Sequence, residues 1–144
     1  MKKLIGLAIA LSALSQMAFA DHESLERLSR DLTRNASELY VGARQVIGYY
    51  PTYRQRYAFE HISFLHTSAH RFEQLVGGAA ADDHGSDELI RWAYRRLEHD
   101  VYYARRTFNY LFDDFSDDHL AYGRLDQLLR NSEDLVRDIG RVLP

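Results

Sequence analysis

The chain has 144 residues, no cysteine, and a formal charge of −3 from 18 basic and 21 acidic residues. This length suffices for one domain with a hydrophobic core. The lack of cysteine excludes disulfides, thiolate metal sites, cysteine-linked haem and thiol catalysis. The negative charge argues against nucleic acid as a partner.

The first twenty residues have the pattern of a secretory signal peptide. Lys2 and Lys3 form a positive start, residues 4–14 are apolar, and Ala18-Phe19-Ala20 is a small-x-small cleavage signal before Asp21. The apolar run is too short to span a bilayer. We expect residues 1–20 to be removed, leaving a periplasmic or secreted domain, residues 21–144, without a transmembrane segment. Cleavage would remove the chain's only lysines and lower the formal charge to −5, with 16 arginines against 21 acidic residues.

Two helices are predicted in the first half of this domain. An apolar stripe predicts a helix over 24–47, which ends before Gly48 and Pro51. The members of this stripe, spaced by three or four residues, are Leu25, Leu28, Leu32, Ala36, Leu39, Ala43 and Val46. Thr52 is expected to cap a second helix that runs to residue 76, with Gln55 completing a capping box. The predicted inward stripe of this second helix is Ala58, His61, Ile62, Leu65, Ala69, Phe72 and Val76.

The second half predicts two more helices. After a small and polar loop at 77–85, Ser86 caps a third helix, and Ser116 or Asp117 caps a fourth. The third carries the core stripe Ile90, Ala93, Leu97, Val101, Ala104, Phe108 and Leu111, and the fourth carries Ala121, Leu125, Leu128, Leu135, Ile139 and Val142. Four amphipathic helices joined by short loops predict an all-α fold, a single antiparallel up-down-up-down four-helix bundle. Because such bundles host unrelated activities, the fold does not define the function.

A polar layer is predicted within the core. Antiparallel packing of the helices would bring four polar residues to one level: His61, Asp100, Asn131 and Tyr40. A buried imidazole needs partners for its two nitrogens, and a carboxylate at the donor nitrogen would fix its tautomer. The layer would be either a structural element that sets helix register or the site of a cofactor-binding bundle or enzyme around His61.

The remaining histidines suggest a second alternative. His66 and His70 are four residues apart, so they share a helix face and could hold one divalent transition metal ion. A periplasmic metal-binding or metal-sensing protein is therefore an alternative function, and no other cofactor is expected. The sequence contains no Gly-x-Ser-x-Gly, glycine-rich phosphate loop or His-Glu-x-x-His motif, so an enzyme is not the leading interpretation.

The third helix has a second stripe, opposite its core stripe. It consists of Trp92, Arg95, His99, Tyr103, Arg106 and Tyr110, with Tyr102 beside it. Trp, Tyr and Arg are the residue types enriched at protein interface anchors. The alternative is that these rings and guanidinium groups stack on one another and are half covered. The leading hypothesis is an exported, non-enzymatic bundle that acts through this face, either as a homodimer or by binding another exported protein.

Overall fold

The structure is a bundle of four helices. The computed structural model describes the backbone of residues 2–79, 84–112 and 119–143, and the side chains of 22–79, 86–112 and 120–143. The helices are α1 (Lys2–Val46), α2 (Tyr53–Gly78), α3 (His84–Thr107) and α4 (His119–Val142), and a short 3-10 helix, Phe108–Phe112, extends α3. Each helix contacts the next along the chain, and α4 packs against α1. These contacts confirm the predicted all-α four-helix bundle, and the described residues include no strand.

Helix α1 is longer than the sequence pattern predicts. It begins at Lys2 and continues without a break through the predicted signal peptide to Val46. The leucines and alanines of that segment favour helix on their own, whether or not the segment is later removed. Cleavage before Asp21 therefore stays a prediction. Beyond Val46, Gly48 has a φ of +60°, a left-handed conformation that glycine adopts without steric cost at the end of a helix. No described helix combines the length and the apolar character that crossing a bilayer requires.

The predicted capping box of α2 is confirmed. The Thr52 hydroxyl accepts a hydrogen bond from the Gln55 backbone at 3.2 Å, and the Gln55 side chain accepts one from the Thr52 backbone at 2.9 Å. Gln55 also donates to the Leu111 carbonyl at 3.2 Å, so the cap joins α2 to the 3-10 segment. Helix α3 begins two residues before its predicted cap. The predicted caps of α4, Ser116 and Asp117, lie outside the described residues.

The core positions predicted for α1, α2 and α3 are buried or packed against the core, and His61 is half-buried. In α4 the prediction is rotated from the observed stripe. Leu129 and Val136 are buried, whereas Leu128 and Leu135 lie half-buried at the edge of the core. The sequence analysis missed this because the buried stripe of α4 passes through a polar residue, Ser132, which interrupts the apolar pattern.

Candidate functional site

The second stripe of α3 divides into an exposed part and a covered part. The side chain of Trp92 is 62% exposed and that of Tyr102 is 56% exposed. Tyr103 and Tyr110 are instead half-buried against α2 and its N-terminal end: Tyr103 stacks on His61 with ring centroids 5.3 Å apart, and Tyr110 lies under the guanidinium of Arg54 at 5.1 Å. The exposed members, hereafter the α3 outer face, are Trp92, Arg95, His99, Tyr102 and Arg106.

Aromatic side chains of α2 continue this surface. Tyr53, Tyr57, His61 and Phe64 follow one another along α2, with successive ring centroids 6.4, 4.7 and 6.0 Å apart. Phe64 is 40% exposed, and the sequence analysis did not single it out. The sequence indicates its exposure by its position, because Phe64 lies next to the apolar stripe of α2 and not within it. The exposed aromatic surface therefore spans two helices.

Arginines that have no partner among the described residues accompany these aromatic rings. Helices α2 and α3, with the 3-10 extension, carry eight arginines and six acidic residues, although the whole chain is negative. The side chains of Arg56, Arg71, Arg91 and Arg95 make no ion pair or hydrogen bond with any residue that the structure describes. The surface of this helix pair is therefore locally positive, and these four guanidinium groups are available to an external anion.

A buried carboxylate joins α2 to α3. Asp100 is 1% exposed and accepts a hydrogen bond from the Ser68 hydroxyl. The Arg96 Nε atom donates to the same carboxylate at 3.1 Å, and His99 Nδ1 lies 3.1 Å from its other oxygen. A buried charge is stable only when such partners satisfy it. The sequence analysis identified Asp100 but not Ser68 or Arg96 as its partners.

The predicted polar layer is wrong at Asn131, and its member Tyr40 has a partner outside the layer. Asn131 is exposed and accepts a hydrogen bond from Gln127 at 2.8 Å. Tyr40 stacks on His66, with ring centroids 4.9 Å apart. The rotation of α4 explains the error, because it turns Ser132 inward and its neighbour Asn131 towards solvent.

His61 is packed among aromatic rings and has no hydrogen-bonding partner at its buried nitrogen. Its Nε2 atom is buried without a bond to any described residue, and Tyr57 meets the ring edge-on. Burial lowers the pKa of His61, and this effect outweighs that of the negative charges of Glu60 and Asp100, which raise it. The imidazole is therefore held neutral near pH 7, and no described carboxylate is bonded to it as an acid–base partner.

His66 and His70 lie together as predicted, with ring centroids 5.1 Å apart. Burial and then the charge of His70 lower the pKa of His66, while His70 itself is exposed. Among the described residues, no group of three His, Cys, Asp or Glu side chains could hold a metal ion. The two histidines therefore offer at most two ligands within the described part of the chain.

The α2–α3 side combines exposed aromatic rings, arginines available to an anion and one satisfied buried carboxylate. No protein-family model, curated protein or solved structure matches this chain.

Proposed function

We propose that this chain is an exported, non-enzymatic binding protein that docks an acidic protein partner through the α3 outer face. The observation that carries the proposal is the exposure of Trp92 and Tyr102 beside Arg95. Trp, Tyr and Arg supply most anchor residues of protein interfaces. A contiguous exposed patch of large apolar rings is a feature of interaction sites. Export is supported by the signal-peptide pattern of residues 1–20.

Charge favours an acidic partner over a second copy of the chain. In a symmetric dimer the same patch would meet itself. Arg95 and Arg106 of this face, and the exposed Arg91 one helical turn before Arg95, would then approach the arginines of the other copy. Like charges across an interface cost free energy. A surface rich in aspartate or glutamate would instead pair with these guanidinium groups, which have no acidic partner among the described residues.

Carboxylates on the same helix favour a protein over a nucleic acid. Glu88 and Glu98 are exposed on α3, and Glu60 is exposed on α2. They would repel a continuous phosphate backbone, whose binding depends on replacing many counterions with basic side chains. A protein partner can place carboxylates beside the arginines and leave the glutamates at a solvated rim.

Site-specific photo-crosslinking in cells that naturally produce the chain tests this proposal. A photoreactive amino acid replaces Tyr102, and Val41, an exposed apolar residue of α1, is replaced as a matched control. We expect an adduct from position 102 and none from position 41, with the crosslinked peptide of the partner rich in acidic residues. The protein recovered from the periplasmic fraction should begin at Asp21.

Replacing arginines of this surface with glutamate tests whether they bind the partner. The double substitution R91E/R95E should reduce the adduct at least about tenfold, as expected for interface anchors, whereas Arg137→Glu on α4 should leave it unchanged. An adduct that survives R91E/R95E, an adduct of two copies of this chain, or no adduct at position 102 would each overturn the docking of an acidic partner. Recovery of the protein with residues 1–20 still attached would overturn the proposal that it is exported.

A further inference from the structure

A groove between α2 and α3 has the size of a small-molecule site and a lining that is partly apolar and partly charged. Its volume is about 780 Å³, within the range of ligand pockets. It lies beside the α3 outer face and shares only Trp92 with it. The residues that define it are Phe64, Arg71 and Leu75 of α2 and Trp92, Ala93 and Arg96 of α3.

The groove is open to solvent, and its lining combines apolar side chains with polar ones such as Ser63, Thr67 and Gln74. Phe64 from α2 and Trp92 from α3 line the groove and remain 40% and 62% exposed. Ala93 is buried and, with no side chain beyond its Cβ atom, leaves the groove open next to Trp92. An apolar body between the two aromatic side chains would remove both from water, which is the main driving force for binding to such a site.

The charged side chains of the groove indicate which polar group a ligand with an apolar body would carry. Asp100 is at the groove, but it is 1% exposed and already bonded to Ser68 and Arg96. Arg71 is exposed and makes no ion pair or hydrogen bond with a described residue. The uncompensated charge of the groove is therefore positive. A planar guanidinium binds a carboxylate through two parallel hydrogen bonds.

We propose that this groove binds an amphiphilic organic carboxylate. The apolar body lies between Phe64 and Trp92, and the carboxylate pairs with Arg71. Arg96 keeps Asp100 neutralised and so prevents that carboxylate from repelling the ligand. This site goes beyond the docking of a protein partner and does not rest on it, because Phe64 and Arg71 belong to α2.

Fluorescence of the protein provides a direct test, because Trp92 is the only tryptophan of the chain. Decanoate is titrated into the purified protein, and decyltrimethylammonium, which has the same alkyl chain and the opposite charge, is titrated in parallel. We expect a saturable change in Trp92 emission with decanoate and none with the cation. Isothermal titration calorimetry measures the same binding without relying on the tryptophan.

Substitutions at exposed positions identify the groups that bind. Arg71→Gln should weaken decanoate binding at least about tenfold, since it removes a charge-assisted pair, and Arg71→Lys should retain part of the affinity. Phe64→Ala should also weaken it. Arg56→Gln, at an equally exposed arginine of α2 that does not line the groove, should leave it unchanged. Helical circular dichroism verifies that each variant is folded.

Three results would overturn the carboxylate site: a response to the cation equal to that of decanoate, a response that does not saturate, or unchanged decanoate affinity in Arg71→Gln. The crosslink from position 102 is a separate measurement. Arg71→Gln should leave that crosslink intact, so failure of the groove and failure of the docking face are distinguishable.

Discussion

The two helix pairs α1–α4 and α2–α3 each bury a polar side chain, but they satisfy it in different ways. Between α1 and α4, the buried group is the neutral Ser132 hydroxyl, which accepts a hydrogen bond from the half-buried Asn35 amide at 2.7 Å. The Asn35 amide also donates to the Leu128 carbonyl at 2.5 Å. Between α2 and α3, the buried group is the Asp100 carboxylate. A buried charge depends on its partners more strongly than a neutral hydroxyl does, because its desolvation cost is higher. The polar contacts of Asp100, which we expect to affect stability more than those between α1 and α4, therefore lie beside the candidate binding surface.

The surfaces of the two helix pairs also differ in how their charged side chains are paired. On α1 and α4, arginines pair with acidic residues three or four positions away on the same helix, as in Arg34–Asp31, Arg130–Asp126, Arg137–Asp134 and Arg141–Asp138. On α2 and α3, four arginines make no ion pair or hydrogen bond with any described residue, and exposed aromatic rings lie among them. Four arginines of α1 and α4 are paired in this way, although Arg27 and Arg124 make no ion pair or hydrogen bond with a described residue. The α2–α3 surface differs because its unpaired arginines lie among exposed aromatic rings, which is the chemistry of a surface that binds something else.

The largest effect is expected from Asp100→Ala. We expect it to lower the free energy of unfolding by about 3 kcal/mol, because it removes the charged acceptor of Ser68 and leaves a cavity. Asn35→Ala, the matched change between α1 and α4, should cost about 1–2 kcal/mol because the lost contacts are neutral. Urea unfolding monitored by circular dichroism measures both. An Asn35→Ala variant that is less stable than Asp100→Ala would reverse the comparison.

A smaller effect is expected at the ion pairs that join α3 to α4. Arg105 bonds to Asp126 at 2.6 Å and to Glu133 at 2.6 Å from a half-buried position. Arg105→Gln should cost about 1–2 kcal/mol, since it breaks charge-assisted bonds between two helices. Arg137→Gln, which breaks an exposed pair within α4, should cost less than about 0.5 kcal/mol. Equal costs in urea unfolding would show that bridging two helices adds nothing.

The same ion pairs predict that the stability of the fold decreases at acidic pH. Burial raises the pKa of Asp126, but the hydrogen bonds from Arg105 and Arg130 outweigh it and hold that pKa below its usual range. The stability from Asp126 is therefore fully present above a pH of about 4 and is lost as the pH falls through the lowered pKa. Arg105→Gln should weaken this decline in unfolding experiments at acidic pH.

The smallest effect is expected from the half-buried histidines. Burial lowers the pKa of His61, where Glu60 and Asp100 favour the proton and His99 opposes it, and burial also lowers the pKa of His66. The unfolded chain then binds protons more readily than the folded chain. Stability should therefore fall as the pH drops from about 6.5 through the lowered pKa values.

The double variant H61Q/H66Q separates this decline from that of other groups. Its unfolding midpoint in urea should change less between about pH 7.5 and about pH 5 than that of the unmodified protein. The single variants should each remove part of the difference, which would assign it to the α2–α3 side at His61 or the α1–α2 side at His66. A decline of the same size in the double variant would show that neither imidazole is responsible.

The sequence by itself determined the helices and most of the core. The stripes of α1, α2 and α3 and the Thr52–Gln55 capping box are local patterns, because a helix periodicity and its cap involve residues at most a few positions apart. The rotation of α4 was not determined in this way. Its stripe passes through Ser132, and only packing against α1, where Asn35 bonds to that hydroxyl, reveals which face is buried.

Only the tertiary structure decided the candidate sites. Asp100 pairs with Ser68, which lies 32 residues away in the chain, and the groove forms where Phe64 and Arg71 of α2 meet Trp92 of α3. The spacing of residues along one helix gives the face on which each lies, but the relative shift and rotation of two helices set which side chains meet. For the same reason, the sequence predicted an aromatic and arginine stripe on α3 but not which of its members remain exposed.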